Sequence, residues 1–85
     1  MMVKVLYFAW VRERIGTDLE EIDPPADVTD VRGLIAWLAA RSPGHGSALG
    51  DTSCLRAAVD QKFVTLDAPV AGAREVAIFP PVTGG

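Results

Sequence analysis

The last eleven residues constrain the fold of this chain more than any other stretch. Residues 76–79 read Val-Ala-Ile-Phe, and their alternating side chains predict a strand. Pro80 and Pro81 end that strand, because proline has no backbone N–H for a ladder hydrogen bond and fixes φ at about −65°. Residues 82–85 finish in two glycines, which have no side chain to pack. The sequence therefore predicts a folded domain over residues 1–81 and a flexible C-terminal arm over residues 82–85.

Length and composition limit what kind of protein this is. A chain of 85 residues forms one domain with a modest core. The hydrophobic content of 49% argues against disorder, and it is high enough that some apolar side chains are expected to face a partner. The net charge of −3 and the scattered basic residues argue against nucleic acid as a ligand, because phosphate binding needs clustered lysine and arginine.

The single cysteine and the lack of long apolar runs bear on the compartment. Cys54 has no second cysteine for an internal disulfide, which favours a reducing compartment, and we interpret it as a half-buried structural thiol. The N-terminus does not resemble a signal peptide, and no stretch approaches the roughly 18–20 apolar residues of a membrane span. We therefore expect a cytoplasmic protein that binds no membrane.

One segment, residues 27–41, has the periodicity of an amphipathic helix. Its apolar residues lie on one stripe at the spacing i, i+3, i+4, i+7, namely Val31, Leu34, Ile35 and Leu38. Thr29 or Asp30 is expected to cap its N-terminus. The remaining patterns predict strands at residues 3–8, 17–23, 55–59 and 63–64, a helical turn or two at 9–16, a short helical turn or loop at 48–52, and loops at 42–47 and 65–74.

The order of these elements predicts an α+β fold. Strands on both sides of one helix suggest a mixed sheet of about five strands with one main helix packed on one face. The first and last strands have the strongest patterns, and we expect them to pair in parallel at the centre of the sheet. This arrangement is the ubiquitin-like β-grasp.

Three apolar side chains form a candidate partner-binding surface. Lys4 marks one face of the first strand as solvent-exposed, yet Leu6 and Phe8 point to that same face. If the first and last strands are neighbours, Phe79 joins them in an apolar patch on the side of the sheet away from the helix. Ordinary surface hydrophobes are the alternative interpretation.

Other residues that can carry chemistry are interpreted as structural. His45 lies among Gly, Pro and Ser with no acid or cysteine nearby in the sequence, and we interpret it as a solvated loop histidine. The acidic run at residues 20–23 is interpreted as solvated, because adjacent strand residues point to opposite faces and do not converge on a metal. The sequence thus predicts no metal site and no bound cofactor.

Four motifs resemble the small subunit of molybdopterin synthase, a family of ubiquitin-like sulfur carriers. They are KVLYFA at residues 4–9, RERIGT at 12–17, AVDQ at 58–61 and EVAIFPPVTGG at 75–85. The last motif is the most specific, since a bare C-terminal Gly-Gly is shared by many ubiquitin-like proteins. Two turns depart from the family pattern, the first at Ala71–Arg74 and the second at Asp60.

This resemblance implies a function for the C-terminus. It implies that the carboxylate of Gly85 is adenylated by a ubiquitin-activator-like enzyme that uses ATP, and is then converted to a thiocarboxylate. The large synthase subunit receives the arm, and the sulfur passes to a pterin precursor to build the dithiolene of molybdopterin. The resemblance therefore implies two partners, the adenylating enzyme and the large subunit, and a heterotetramer of two small and two large subunits.

The residues of the arm fit that chemistry. A terminal carboxylate is ionised at neutral pH and is a poor electrophile, so it needs activation before it can accept sulfur. Gly84 and Gly85 lack a Cβ and can pass a narrow channel. The two prolines stiffen the base of the arm, and the next two residues extend its reach. The candidate partner-binding residues are therefore Leu6, Phe8, Phe79, Pro80, Pro81, Val82 and Thr83.

Three alternatives stay open on the sequence. The first is a ubiquitin-like modifier that is conjugated to lysines, and the second is a sulfur carrier for another pathway such as thiamine or cysteine synthesis. Both would also need adenylation at Gly85. The third alternative is an interaction module with an inert tail. The chain shows no acid pair, metal-ligand spacing or phosphate loop, so it is better described as a protein co-substrate than as an enzyme.

Overall fold

The structure is a computed structural model that describes residues 2–81, and these form five strands and three α-helices. In chain order the elements are β1 (Val3–Tyr7), α1 (Ala9–Ile15), β2 (Leu19–Ile22), α2 (Val31–Ala39), α3 (Pro43–Leu49), β3 (Arg56–Val59), β4 (Lys62–Val64) and β5 (Glu75–Phe79), with a 3₁₀ turn at Thr52–Cys54. Residues 82–85 lie outside the described part of the chain, so the boundary between domain and arm stays a prediction.

The strands form one mixed sheet in the order β2-β1-β5-β3-β4. β1 and β5 pair in parallel at its centre, and the other three pairings are antiparallel. The predicted central pair is therefore confirmed, and so is the β-grasp. A parallel pair needs a long crossover connection, and the chain between β1 and β5 supplies it together with the helices that cover one face.

The core lies between the sheet and the helices. In β1 the buried side chains are Val3, Val5 and Tyr7, which alternate with side chains that reach solvent. In β5 the corresponding residues are Val76 and Ile78, both with no exposed surface. The predicted stripe of α2 is also completely buried and belongs to the same cluster. Burial of one strand face and one helix stripe against each other is what holds the two layers together.

The main helix is shorter than predicted from residues 27–41. Asp30 is its N-cap, and its Oδ1 accepts the backbone N–H of Gly33 at 2.7 Å, so one of the two expected caps is confirmed. Before it, Val28 N–H binds the carbonyl of Pro25 in a turn. After Ala39 the chain makes a tighter turn, in which the Arg41 N–H donates to the carbonyl of Leu38. The α-helix therefore covers Val31–Ala39 only.

The prediction of a loop at residues 42–47 is wrong, because most of this segment belongs to α3. Ser42 caps the helix by accepting the backbone N–H of His45 at 3.1 Å, and Pro43 follows at the first helical position, where a missing N–H has no cost. Ala48 and Leu49 are buried in the core. Capping and tertiary burial thus outweigh the low helix propensity of two internal glycines.

Three non-glycine residues in the described part of the chain have a positive φ, namely Ala9 (54°), Asp60 (48°) and Gln61 (72°). Asp60 and Gln61 form the two-residue turn between β3 and β4, where such angles match the twist of a hairpin. The Asp60 carboxylate also accepts the backbone N–H groups of Arg74 and Glu75, each at 3.0 Å. This residue therefore ties the hairpin turn to the beginning of β5.

Candidate functional site

The face of the sheet away from the helices, called here the open face, carries one apolar row that crosses every strand. Leu6 in β1 lies opposite Leu19 of β2 and Ala77 of β5. Ala58 in β3 continues the row between Ala77 and Phe63 of β4. Apolar side chains that adjoin in this way form a continuous surface rather than scattered hydrophobes.

Aromatic side chains dominate the open face. Phe63 is 84% exposed and Phe8 is 47% exposed. The rings of Phe63 and Phe79 lie 5.7 Å apart at 57°, a favourable tilted contact. Together with Leu6, Ala58 and Ala77, these three phenylalanines line one shallow depression.

The structure brings together the residues that the sequence predicted for this surface. Because β1 and β5 run in parallel, Phe8 and Phe79 lie at the same end of the sheet, and the N–H of Phe8 donates to the carbonyl of Ile78 at 3.3 Å. Half-buried Pro80 and Pro81 follow directly from that end. The predicted positions Val82, Thr83, Gly84 and Gly85 lie outside the described residues, and their roles stay predictions.

Phe63 is a residue of this surface that sequence reasoning missed. The sequence pattern predicts a short returning strand at residues 63–64, but this pattern alone assigns no face of the sheet to Phe63. The two-residue turn at Asp60 and Gln61 fixes the register of the hairpin and places Phe63 opposite Ala58, so it indicates the face on which Phe63 lies. Its exposure makes it the most solvent-accessible large apolar side chain among residues 2–81.

Charged side chains border the open face at both ends of the sheet. Lys4 lies opposite Glu21 on one side and Glu75 on the other. Arg56 on β3 lies opposite Phe79 near the C-terminal end. An apolar centre with a charged border is the usual arrangement of a protein-binding surface.

On the other face of the sheet, four side chains form a polar cluster, in which Tyr7 and His45 are buried and Glu20 and Ser42 are partly buried. The Tyr7 hydroxyl donates to Glu20 Oε1 at 2.7 Å, and His45 Nε2 lies 2.7 Å from the same oxygen. His45 Nδ1 lies 2.7 Å from Ser42 Oγ. The Tyr7 and His45 rings also meet edge to face, with centroids 6.3 Å apart. The interpretation of His45 as a solvated loop residue is therefore wrong, since it is 8% exposed and fully hydrogen-bonded.

The electrostatics of this cluster favour an ionised Glu20. Burial alone raises the pKa of Glu20, but the hydrogen bonds from His45 and Tyr7 outweigh it and hold that pKa below its ordinary value. Burial and the neighbouring carboxylate raise the pKa of Tyr7, which therefore stays protonated as a donor. An ionised carboxylate only accepts hydrogen bonds, so His45 Nε2 donates to Glu20 Oε1.

The cluster stabilises the packing of three elements and is not a nucleophilic site. Ser42, His45 and Glu20 are linked in the order of a hydrolase triad, but Ser42 Oγ already accepts the backbone N–H of His45 as the N-cap of α3. The cluster thus joins α3 to the edge strand β2 and to β1. Sequence reasoning missed it because Glu20 and His45 are 25 residues apart.

The remaining candidates give simple outcomes. Cys54 is exposed, so its interpretation as a half-buried thiol is wrong; it lies in the 3₁₀ turn at the surface. Within residues 2–81, His, Cys, Asp and Glu form no group that could hold a metal ion. The same part of the chain has no helix long and apolar enough to cross a membrane.

Comparison with known proteins gives consistent similarities. The ThiS family matches residues 5–85. The molybdopterin synthase sulfur carrier subunit of Escherichia coli strain K12 is 49% identical over 84 residues, covering 99% of this chain and 100% of that protein. The protein of the same name from Haemophilus influenzae is 34% identical, again covering 99% of this chain and 100% of the relative.

Two solved structures share the fold. SAMP1 from Haloferax volcanii superposes with a TM-score of 0.76 over the whole of both chains, at 23% identity, which is a likeness of fold alone. A Pyrococcus furiosus protein described as a molybdopterin converting factor, subunit 1, has a TM-score of 0.66 at 27% identity, covering 96% of this chain and 99% of that one.

Proposed function

The chain belongs to the ThiS family, and on that premise we propose that it is a sulfur-carrier protein that donates sulfur for the dithiolene of molybdopterin. The observation that carries this proposal is the full-length similarity to the Escherichia coli sulfur carrier subunit, at 49% identity. On this proposal the chain is the small subunit of molybdopterin synthase, in a cytoplasmic heterotetramer with two large subunits. The functional atom is the carboxyl carbon of Gly85.

The proposed chemistry uses this chain as a substrate for two partners. An adenylating enzyme joins the Gly85 carboxylate to the α-phosphorus of ATP and releases pyrophosphate. A sulfur nucleophile then displaces AMP from the acyl carbon, which leaves a thiocarboxylate. At the large subunit the sulfur passes to the pterin precursor, and oxygen from water restores the carboxylate. ATP is consumed by the adenylating enzyme, and this chain binds no cofactor of its own.

We further propose that the open face docks the large subunit. Its apolar row and its phenylalanines lie at the end of the sheet from which Pro80 and Pro81 lead into the arm. Residues 82–85 span at most about 13–14 Å when extended, at roughly 3.3–3.6 Å per residue. A body docked through the open face would therefore deliver Gly85 to a site close to the edge of the contact. The charged border would set the orientation of the partner.

Intact-mass analysis after co-expression with an adenylating enzyme tests the chemistry. Exchange of one oxygen for sulfur at Gly85 supports a carrier, and deletion of Gly85 should abolish the exchange while leaving the thermal unfolding transition in place. Adducts to lysines would instead indicate a modifier. An unchanged mass, together with full activity of the tail-deleted chain, would leave only an interaction module. Transfer of the sulfur to a pterin in the presence of the large subunit distinguishes this pathway from other sulfur carriers.

The docking surface is tested by measuring the affinity of the Phe79→Ala variant for the large subunit. We expect a loss of about tenfold or more, because buried aromatic side chains carry much of the energy of an interface. Arg32→Ala is the matched control, since Arg32 lies exposed on the helix side, where it pairs with Asp67 at 3.4 Å. Unchanged binding of Phe79→Ala would show that the open face is not the docking surface.

A further inference from the structure

The chain reverses direction at Ala9, immediately after Phe8. β1 ends at Tyr7, and Phe8 is still extended, with φ −129° and ψ 156°. Ala9 then adopts φ 54°, the left-handed region that disfavours residues with a Cβ. Two residues later Val11 is completely buried on the helix side. The reversal therefore leaves Phe8 on the open face while the chain moves into the helix layer.

Other restraints on the Phe8 backbone are weak. Its N–H donates to Ile78 at 3.3 Å, and its carbonyl accepts the N–H of Arg12 at 3.4 Å, both longer than ordinary N–H···O bonds. Phe8 makes no side-chain cap hydrogen bond at the beginning of α1. The conformation of Ala9 is therefore a further local restriction on the backbone that carries the Phe8 ring.

The other two non-glycine residues with a positive φ in the described chain also adjoin the open face. Asp60 and Gln61 form the turn that carries Phe63. Sparsely populated backbone conformations concentrate at functional sites, where the surrounding fold enforces them for a geometric purpose. The two most exposed phenylalanines of the open face are thus each presented by a residue in an unfavourable conformation.

We infer that Ala9 is a positioning residue for partner docking. The fold holds Ala9 at a positive φ, its Cβ leaves only a narrow part of that region accessible, and this restriction keeps the Phe8 ring in its docking direction. Glycine would adopt the same φ without cost, but it would also visit conformations that alanine cannot. The positive φ of Ala9 therefore lowers the stability of the fold but restricts the motion of Phe8. This inference rests on the proposed docking of the open face.

Three variants of the full chain test it. Ala9→Gly should raise Tm by about 4–8 °C, because the strain is relieved. The same change should lower the side-chain order parameter of the Phe8 ring in NMR relaxation, and should weaken binding to the large subunit by about two- to tenfold through lost preorganisation. Ala9→Asn keeps a Cβ and tolerates the left-handed region, so it should preserve the order of Phe8. Ala36→Gly, at an exposed position within α2, is the control and should lower Tm without affecting Phe8.

The outcomes separate this inference from the proposed function. If Ala9→Gly fails to raise Tm, or if Phe8 keeps its order in that variant, the positioning role of Ala9 is wrong. If the wild-type chain does not bind the large subunit, the proposed docking is wrong, and the Tm and NMR measurements still decide the role of Ala9. Equal affinity of the wild type and Ala9→Gly, with Phe79→Ala weakened, would also overturn the inference while leaving the docking surface intact.

Discussion

The two faces of the central sheet place polar and apolar groups in opposite ways. On the helix side, Tyr7 and His45 are buried, Glu20 is partly buried, and each of the three has a hydrogen-bond partner at 2.7 Å. On the open face, Phe8 and Phe63 are left in contact with solvent. Buried polar groups are tolerated when they are fully paired, whereas a clustered apolar surface is completed by something that covers it. The helix side is therefore complete within the chain, and we expect the open face to be completed by a partner.

The largest expected effect comes from His45→Ala, which should affect stability but not docking. The change removes the hydrogen bonds to Glu20 and Ser42 and leaves a cavity beside Tyr7, which we expect to cost about 2–3 kcal/mol of unfolding free energy. Urea denaturation measures this cost. Affinity for the large subunit, measured on folded protein at low temperature, should not change. A loss below about 0.5 kcal/mol, the size expected for an ordinary surface substitution, would mean that the cluster does not stabilise the fold.

Phe63→Ala should have the reverse effect. Since Phe63 is 84% exposed, its loss should change the unfolding free energy by no more than about 0.5 kcal/mol. Binding to the large subunit should weaken by about 1–2 kcal/mol if Phe63 is buried in the complex. A double-mutant cycle with Phe79→Ala should show coupling, because the two rings are in contact. Additive losses would indicate that the rings dock independently.

Acidic pH should reduce the stability that the polar cluster on the helix side gives to the fold, before it affects the apolar open face. The pKa of Glu20 is lower in the folded chain than in the unfolded chain, so its contribution is present above the unfolded value and is lost as pH falls through the folded value. We therefore expect the stability conferred by Glu20 to decline below about pH 5. Glu20→Gln should be less stable at pH 7 and should show a smaller decline than the wild type. Parallel pH profiles of the two proteins would contradict this role of Glu20.

The smallest expected effect is a gain of stability at the hairpin turn. Gln61→Gly should stabilise the chain by about 0.4–1 kcal/mol, because glycine takes the positive φ of 72° without strain. Asp60→Gly is the contrasting variant. It relieves a similar angle but removes the carboxylate that accepts two backbone N–H groups, so it should destabilise. If the urea midpoint rises in both variants, the Asp60 carboxylate is unimportant for stability.

Local sequence patterns predicted the open face better than they predicted the polar cluster on the helix side. Leu6, Phe8 and Phe79 could be placed together because strand alternation and the parallel central pair both follow from the sequence. His45 could not be placed, because its partner Glu20 lies on a different element, and because the glycines around it are typical of a loop. Tertiary contacts determine whether such a segment is a helix or a loop, and these contacts produce no periodic pattern in the sequence.

Strand β5 has a mechanical consequence for the C-terminus. It is hydrogen-bonded along both edges, to β1 on one side and to β3 on the other. A pull on the end of the chain, directed along the strand axis, would load both ladders in shear, so that many hydrogen bonds must break together rather than one after another. The C-terminus thus follows a strand that is held along both edges, and a partner could pull on it without unfolding the domain.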